Sequence, residues 1–163
     1  MDKKKLIFSY VLQILALATL VITIFPIIKV PGASMTVFEI VLDVGEWIDM
    51  EEYLFGIAGL ISIITLPLLL ISLELTKLVA CGVIKNKKFD LALYIINIIL
   101  VSLVVAVIVN YFLGLGRTIG VSGLKLFKGK TWFSYATAFF YLHCVFTIGM
   151  LVLAILNKNK NVK

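Results

Sequence analysis

The sequence predicts an all-α integral membrane protein, a four-helix transmembrane bundle with a small exterior cap. Four long apolar stretches fill most of the 163 residues, 62% of the residues are hydrophobic, and the mean hydropathy is +1.14. Each stretch is long enough for a helix to cross a bilayer core of ~30 Å, which takes about 20 residues. The predicted spans are residues 6–28, 53–73, 91–113 and 132–156.

The segments between these stretches are short. A soluble domain of this size could not bury so much apolar surface, and no connection is long enough to hold a separate soluble domain. We therefore expect residues 1–163 to form a single four-span membrane domain.

The first span follows Lys3, Lys4 and Lys5, as the apolar core of a signal peptide would. Its apolar run exceeds the ~7–15 residues usual for a signal peptide, and no small-x-small cleavage site follows at Pro26–Pro31. We expect a retained helix. The alternative is a cleaved signal followed by three spans.

The first loop predicts a short amphipathic helix. Pro31 and Gly32 are expected to interrupt the first helix, and Thr36 with Glu39 fits a capping box. Apolar residues then recur at helical spacing on one face: Val37, Ile40, Val41, Val44, Trp47 and Ile48. With Trp47 on this face, we expect the helix to lie at the membrane surface or to cover the end of the bundle.

The second span carries packing signals, and an ionisable pair lies at its C-terminal end. Its small residues predict close helix approach, and Pro67 predicts a bend. The small residues are Gly56, Ala58, Gly59 and Ser62. Glu74 and Lys77 are three residues apart, and two interpretations remain: a cation or proton site, or an ion pair at the helix end with Lys77 reaching the interface.

The other spans contain three polar residues that form a candidate intramembrane polar site with Glu74 and Lys77, or that serve packing alone: Asn97, Asn110 and His143. Gln13, Asn97 and Asn110 can hydrogen-bond between helices. His143, in the fourth span, is the single histidine, and we expect it to make a polar contact inside the bundle, with a proton relay as the alternative.

The third loop contains five glycines and a weak β-hairpin signal at residues 121–128. It is basic, with Arg117, Lys125, Lys128 and Lys130, whereas the first loop is acidic. The acids of the first loop are Glu39, Asp43, Glu46, Asp49, Glu51 and Glu52. We expect the two loops to dock as one cap through these opposite charges; the alternative is two separately solvated loops.

The distribution of basic residues predicts the orientation. Nine lysines lie on the side that holds both termini, and five basic residues lie on the other side. The nine are Lys3, Lys4, Lys5, Lys85, Lys87, Lys88, Lys158, Lys160 and Lys163. By the positive-inside rule, both termini are cytoplasmic in a multi-pass cell-membrane protein, which we expect to be a bacterial plasma-membrane protein.

The sequence carries no signal for catalysis, a cofactor or a metal. Cys81 and Cys144 lie at or inside apolar stretches, so we expect neither a disulfide nor a metal site. HExxH, GxSxG and P-loop motifs are missing, and the lysines are too dispersed for nucleic-acid binding. We therefore expect a protein that is not an enzyme and has no cofactor.

The four-span plan resembles claudin-like and other tetraspan proteins in topology. The Trp-Gly-Leu-Trp motif and the paired extracellular cysteines of claudins are missing, so the resemblance implies nothing about function.

We expect a protein that acts through protein–protein contacts, as an accessory subunit of a membrane complex or as an immunity or recognition protein. Besides the lipid bilayer, its partner is expected to be another membrane protein or a second copy of the chain. The predicted contact residues are Trp47, Glu39, Asp43, Glu46, Lys125, Lys128 and Lys130. The alternative is a small oligomeric transporter or channel subunit that uses Glu74, Asn97, Asn110 and His143.

Overall fold

The computed structural model describes residues 2–30, 33–42, 53–115 and 131–156. The described elements are α1 (Lys3–Ile22), β1 (Pro26–Val30), β2 (Ala33–Thr36), α2 (Val37–Leu42), α3 (Tyr53–Ala80), α4 (Lys87–Leu115), a 3₁₀ helix (Trp132–Tyr135) and α5 (Ala138–Leu156). Four helices are long and apolar enough to cross a membrane: α1, α3 from Gly56, α4 and α5. The predicted all-α four-helix bundle is confirmed, and the chain is a multi-pass membrane protein.

The four spanning helices pack in a ring, in which α1 and α4 each contact both α3 and α5. The backbone N–H of Asp2 donates to the carbonyl of Ala80 over 3.0 Å, and Ala154 lines the same small cavity as Lys5. The start of α1 and the end of α5 therefore lie beside the turn between α3 and α4. We call this the turn end of the bundle and the opposite end the cap end.

The first helix is shorter at its C-terminus than predicted, because α1 ends at Ile22 and not near residue 28. Pro26 has no N–H with which to continue the helix, and the residue before a proline disfavours the helical conformation. The hydroxyl of Thr23 donates to the Leu20 carbonyl over 2.6 Å at the helix end. Ile27 and Ile28 continue the apolar stretch of the sequence beyond the end of α1. They are apolar because they are buried in β1.

The remaining spanning helices also differ from the predicted bounds. α3 continues seven residues beyond 73, and it ends in a Schellman motif in which Gly82 has φ of 82° and Val83 N–H donates to Leu78 over 3.0 Å. α4 starts earlier than predicted, after Asn86, whose side-chain oxygen accepts from two backbone N–H groups. α5 begins at Ala138, after the 3₁₀ helix that occupies the start of the predicted fourth span.

The cap end carries a two-stranded antiparallel hairpin, in which β1 pairs with β2 from Pro26 opposite Thr36 to Val30 opposite Ala33. The hairpin extends towards the segment before α5. Ile28 forms a bridge with Ala136, and Thr137 N–H donates to the Ile27 carbonyl over 3.0 Å. The segments that flank the two long connections are therefore joined through the backbone.

The observed hairpin is not the one that the sequence predicted. The weak signal fell on residues 121–128, which lie outside the described residues together with the remaining charged residues of both long loops. The hairpin at 26–36 was missed because its apolar first strand continues directly from an apolar helix. The proposed attraction between loop charges remains a prediction.

Two apolar clusters fill the described core. The cluster near the cap end joins Ile27, Ile28, Val37 and Ile40 to residues of α3, α4 and α5, including Tyr111. The cluster nearer the turn end joins all four spanning helices. Exposed apolar side chains on these helices suit contact with lipid.

Candidate functional site

A polar cluster lies between α1 and α3, towards the turn end. Lys77 Nζ donates to Glu74 Oε1 over 2.7 Å and to Gln13 Oε1 over 2.6 Å. Gln13 Nε2 donates to the same Glu74 oxygen. The ammonium of Lys77 also lies 4.5 Å from the ring centroid of Tyr10, which is within the range of a cation–π contact. We call these four residues the α1–α3 polar cluster.

The two charged members of this cluster differ in exposure. The Lys77 side chain is 13% exposed, whereas the Glu74 side chain is 55% exposed. Lys77 therefore lies under Tyr10 and Gln13 and does not extend away from the bundle. Glu74 is on the outer face of α3, between exposed Ile71 and Leu78.

The structure pairs Glu74 with Lys77 at the spacing that the sequence suggested, and it adds Gln13 from α1. The sequence predicts Gln13 to be a packing residue and carries no signal for a role of Tyr10. The three-residue spacing of Glu74 and Lys77 can be read from the sequence. The residues of α1 that contact this pair cannot, because they depend on how α1 packs on α3.

Asn97 belongs to a second polar group, between α3 and α4. Its Nδ2 donates to Thr76 Oγ1 over 2.9 Å, and Thr76 donates in turn to the Ser72 carbonyl over 2.9 Å. A cavity of about 10 Å³, lined partly by Thr76, Tyr94, Asn97 and Lys5, lies beside these groups. That volume is about enough for one water molecule.

An ion pair links α1 and α4 at the turn end of the bundle. Lys5 of α1 pairs with Asp90 of α4, and both side chains are largely buried. Because α1 and α4 lie diagonally across the ring, this pair ties together helices that otherwise have few contacts.

His143 lies in the core nearer the cap end, and 1% of its surface is exposed. Its ring packs edge to face on Tyr111, with the centroids 6.2 Å apart and an angle of 89°. Within the described residues, neither ring nitrogen of His143 has a hydrogen-bond partner. The contact that the structure shows for the His143 ring is therefore aromatic, with Tyr111, and the predicted polar contact is not seen among the described residues.

The polar residues on which the transporter hypothesis depends do not lie together in one part of the bundle. Asn110 donates to the Ala106 carbonyl of its own helix over 2.9 Å. Asn97 and Tyr111 are 14 residues apart on α4, or about 21 Å along the axis at ~1.5 Å per residue. Asn97 and His143 therefore lie at different depths, and Glu74 faces outwards.

The predicted capping box is present at the start of α2. Thr36 N–H donates to Glu39 Oε2 over 2.6 Å, and Glu39 N–H donates to Thr36 Oγ1 over 3.1 Å. Val37 and Ile40 are buried against the bundle, as predicted. Glu39, a predicted partner-binding residue, also stabilises its own helix.

The outer face of α2 presents two apolar side chains beside exposed Glu39, and the sequence analysis did not predict them. Phe38 is 43% exposed and Leu42 is 80% exposed. Their four-residue spacing places them on one side of the helix, and this spacing is visible in the sequence. The other predicted contact residues lie outside the described residues: Trp47, Asp43, Glu46, Lys125, Lys128 and Lys130.

Over the described part of the chain, no group of three or more His, Cys, Asp or Glu residues is arranged to hold a metal ion. Cys81 is exposed and Cys144 is buried, and neither forms a disulfide. Comparisons with protein-family models, curated proteins and solved structures find no match for this chain.

Proposed function

We propose that this protein is a non-catalytic membrane protein that acts by contacting another protein, as an accessory subunit of a membrane complex or as an immunity or recognition protein. The observation that supports this proposal is the cap, which holds an apolar outer face in a fixed position. Phe38 and Leu42 form that face, which we call the α2 outer face.

The cap fixes α2 by three sets of contacts. The capping box closes its first turn, and Val37 N–H donates to the Thr23 carbonyl over 3.2 Å at the end of α1. Its inner side packs on α3, where Gly59 leaves room for Val41. An apolar surface that is held rigid loses little conformational freedom on binding, which favours affinity.

The arrangement of polar groups favours contact over transport. The Glu74 charge is balanced by Lys77, Asn97 is bonded to Thr76, and Asn110 is bonded to its own helix. These groups therefore serve to join or stabilise helices in the described bundle. A transporter built from this chain would need a pathway formed between several copies.

We further propose that the cap faces the cell exterior and that both termini face the cytoplasm of a bacterial plasma membrane. The excess of lysines flanking the turn end supports this orientation. An exterior α2 outer face would suit either an exterior part of a membrane complex or an incoming pore-forming toxin.

Affinity purification of the tagged full-length chain in mild detergent tests the proposal. We expect a specific partner protein with the wild type and its loss with the double variant Phe38→Ser/Leu42→Ser. Val83→Ser is the matched control, because Val83 is also an exposed apolar residue but lies at the turn end.

An accessory subunit and an immunity protein would give different results in this purification. An accessory subunit co-purifies with a protein made by the same cell, whereas an immunity protein captures a toxin only after the toxin is added and protects cells from permeabilisation. Retention of the partner by the double variant would contradict a role for the α2 outer face.

A further inference from the structure

Glu74 occupies an unusual place on α3, because it belongs to the helix face that points away from the bundle. The exposed apolar residues of this face recur every three or four positions: Ile57, Leu60, Ile64, Leu68, Ile71 and Leu78. Glu74 continues this series between Ile71 and Leu78. A carboxylate among lipid-facing apolar side chains is costly in a bilayer unless a partner group contacts it.

Lys77 does not fully satisfy this carboxylate. Its ammonium has three N–H groups, and three acceptors surround it: Gln13 Oε1, Glu74 Oε1 and the face of Tyr10. Both bonds to Glu74 reach the same oxygen, Oε1. In the described part of the chain, Glu74 Oε2 accepts no hydrogen bond, so it remains an open acceptor on the outer face.

The contacts within the cluster also orient Glu74 Oε2 towards a hydrogen-bond donor from outside the chain. Gln13 and Lys77 fix Oε1 from the inner side, and this fixes the direction in which Oε2 points. Because Lys77 already balances the charge of Glu74, the partner group need not be a cation. An amide or hydroxyl donor is sufficient.

We propose that the lipid-facing surface around Glu74 is a docking site for a transmembrane helix of a different protein, which presents a hydrogen-bond donor to Glu74 Oε2. This inference rests on the proposed contact function and specifies where, within the membrane, the contact is made. The surface consists of Glu74, Ile71 and Leu78 on α3, beside exposed Ile14 and Tyr10 on α1.

Two other occupants fit this surface less well. A second copy related by a twofold axis, the commonest homo-oligomer symmetry, would bring two Glu74 carboxylates together. A lipid headgroup would have to reach past Leu78, which lies closer to the turn end and is exposed on the same face.

In-cell photocrosslinking of the full-length chain tests this inference. A benzophenone amino acid placed at Ile71 or Leu78 is expected to crosslink a protein other than this chain. Ile99 is the matched control: it is lipid-facing on α4 and lies at a similar depth, since Asn97 pairs with Thr76. We expect no comparable product from Ile99.

The variant Glu74→Leu tests whether the carboxylate causes the contact. We expect the crosslinked product to fall by roughly 3- to 20-fold, the range that corresponds to measured hydrogen bonds between membrane helices. Glu74→Gln should fall less, because its amide oxygen still accepts. The comparison of Ile71 and Leu78 with Ile99 needs no variant, so it remains decisive if Glu74→Leu lowers the amount of protein in the membrane.

Several results would overturn the inference: adducts to lipid only, crosslinked dimers of this chain, equal product from Ile99, or no product. A benzophenone probe at Leu42 reports separately on contact through the α2 outer face, so failure of docking at Glu74 can be distinguished from failure of the proposed function. Product at Leu42 alone would leave contact through the cap intact, and product at neither place would overturn both proposals. Product at Ile71 and Leu78 alone would support docking at Glu74 and contradict the role of the α2 outer face.

Discussion

At the residue scale, the contacts that could be predicted from the sequence are those within one helical turn. Thr36 and Glu39 cap α2 as the spacing indicated, and Glu74 pairs with Lys77 three residues away. The contacts of Gln13 with this pair could not be predicted, because they depend on the relative rotation of α1 and α3. The ring contact between His143 and Tyr111 has the same origin.

The capping box gives a direct residue-scale prediction. Thr36→Ala removes the hydroxyl that accepts from Glu39 N–H, and we expect a loss of about 0.5–2 kcal/mol in the free energy of unfolding. Unfolding in detergent, followed by circular dichroism, measures this loss. Ser34→Ala is the control, because Ser34 is exposed and precedes the helix. An equal effect from both variants would contradict a capping role.

The α1–α3 polar cluster predicts non-additive effects. Lys77→Met leaves the Glu74 carboxylate without its cation, and we expect a loss of about 1–3 kcal/mol in unfolding free energy. Adding Glu74→Leu should restore part of that loss, because both charges are then removed. Glu74→Gln alone should lower stability modestly. Additive losses in the double variant would show that the two side chains act independently.

At the element scale, the sequence identified the apolar helices but not where each one ends. The predicted first span is too long because Ile27 and Ile28 are as apolar as a membrane helix, although they lie in β1 of the hairpin. The predicted second span ends at residue 73, before Glu74 and Lys77, whereas α3 continues to Ala80. In the structure they lie within the helix and bond with a neighbouring helix.

The small residues of α3 also have a different role from the expected one. The sequence predicts close approach of another helix at Gly59, and the structure shows that the close neighbour is the short helix α2. A Cβ atom at Gly59 would lie 2.8 Å from Val41 Cγ2 and 3.5 Å from the Val37 carbonyl oxygen. The absence of a side chain at Gly59 therefore allows α2 to pack closely on α3, and this packing positions the α2 outer face.

We expect Gly59→Ala to cost about 1–3 kcal/mol and to displace α2, because Val41 is branched and cannot withdraw easily. Gly149→Ala is the matched control: its Cβ would lie 3.4 Å from the flexible end of Leu15, and alanine favours the helix. Unfolding free energy and protease accessibility of the cap measure both effects. Adding Val41→Ala should rescue Gly59→Ala, and a failure of rescue would contradict this packing.

At the scale of the whole molecule, the fold class could be predicted because hydropathy alone requires four spanning helices. The ring order of those helices and the connection between the two cap segments could not, since both depend on long-range contacts. The backbone bond from Thr137 to Ile27 joins residues that lie 110 positions apart. The orientation in the membrane remains a prediction from charge.

Cysteine labelling in intact cells tests that orientation. Cys81 is exposed at the turn end and serves as the reporter for the cytoplasmic side. Ser34→Cys, in a Cys81→Ser background, reports on the cap. We expect a membrane-impermeant maleimide to label position 34 and to leave Cys81 unlabelled until the cells are opened. Labelling of Cys81 in intact cells would mean that the topology is inverted.

We expect this protein to work by contacting a different protein. Native mass spectrometry of the chain, released from its own membrane in mild detergent, tests this expectation. We predict a complex that contains the 18.1 kDa chain and a second polypeptide. The second polypeptide should be lost in Phe38→Ser/Leu42→Ser and should fall by roughly 3- to 20-fold in Glu74→Leu. An 18.1 kDa monomer without a second polypeptide, both from its own membrane and after addition of a pore-forming toxin, would contradict a contact function.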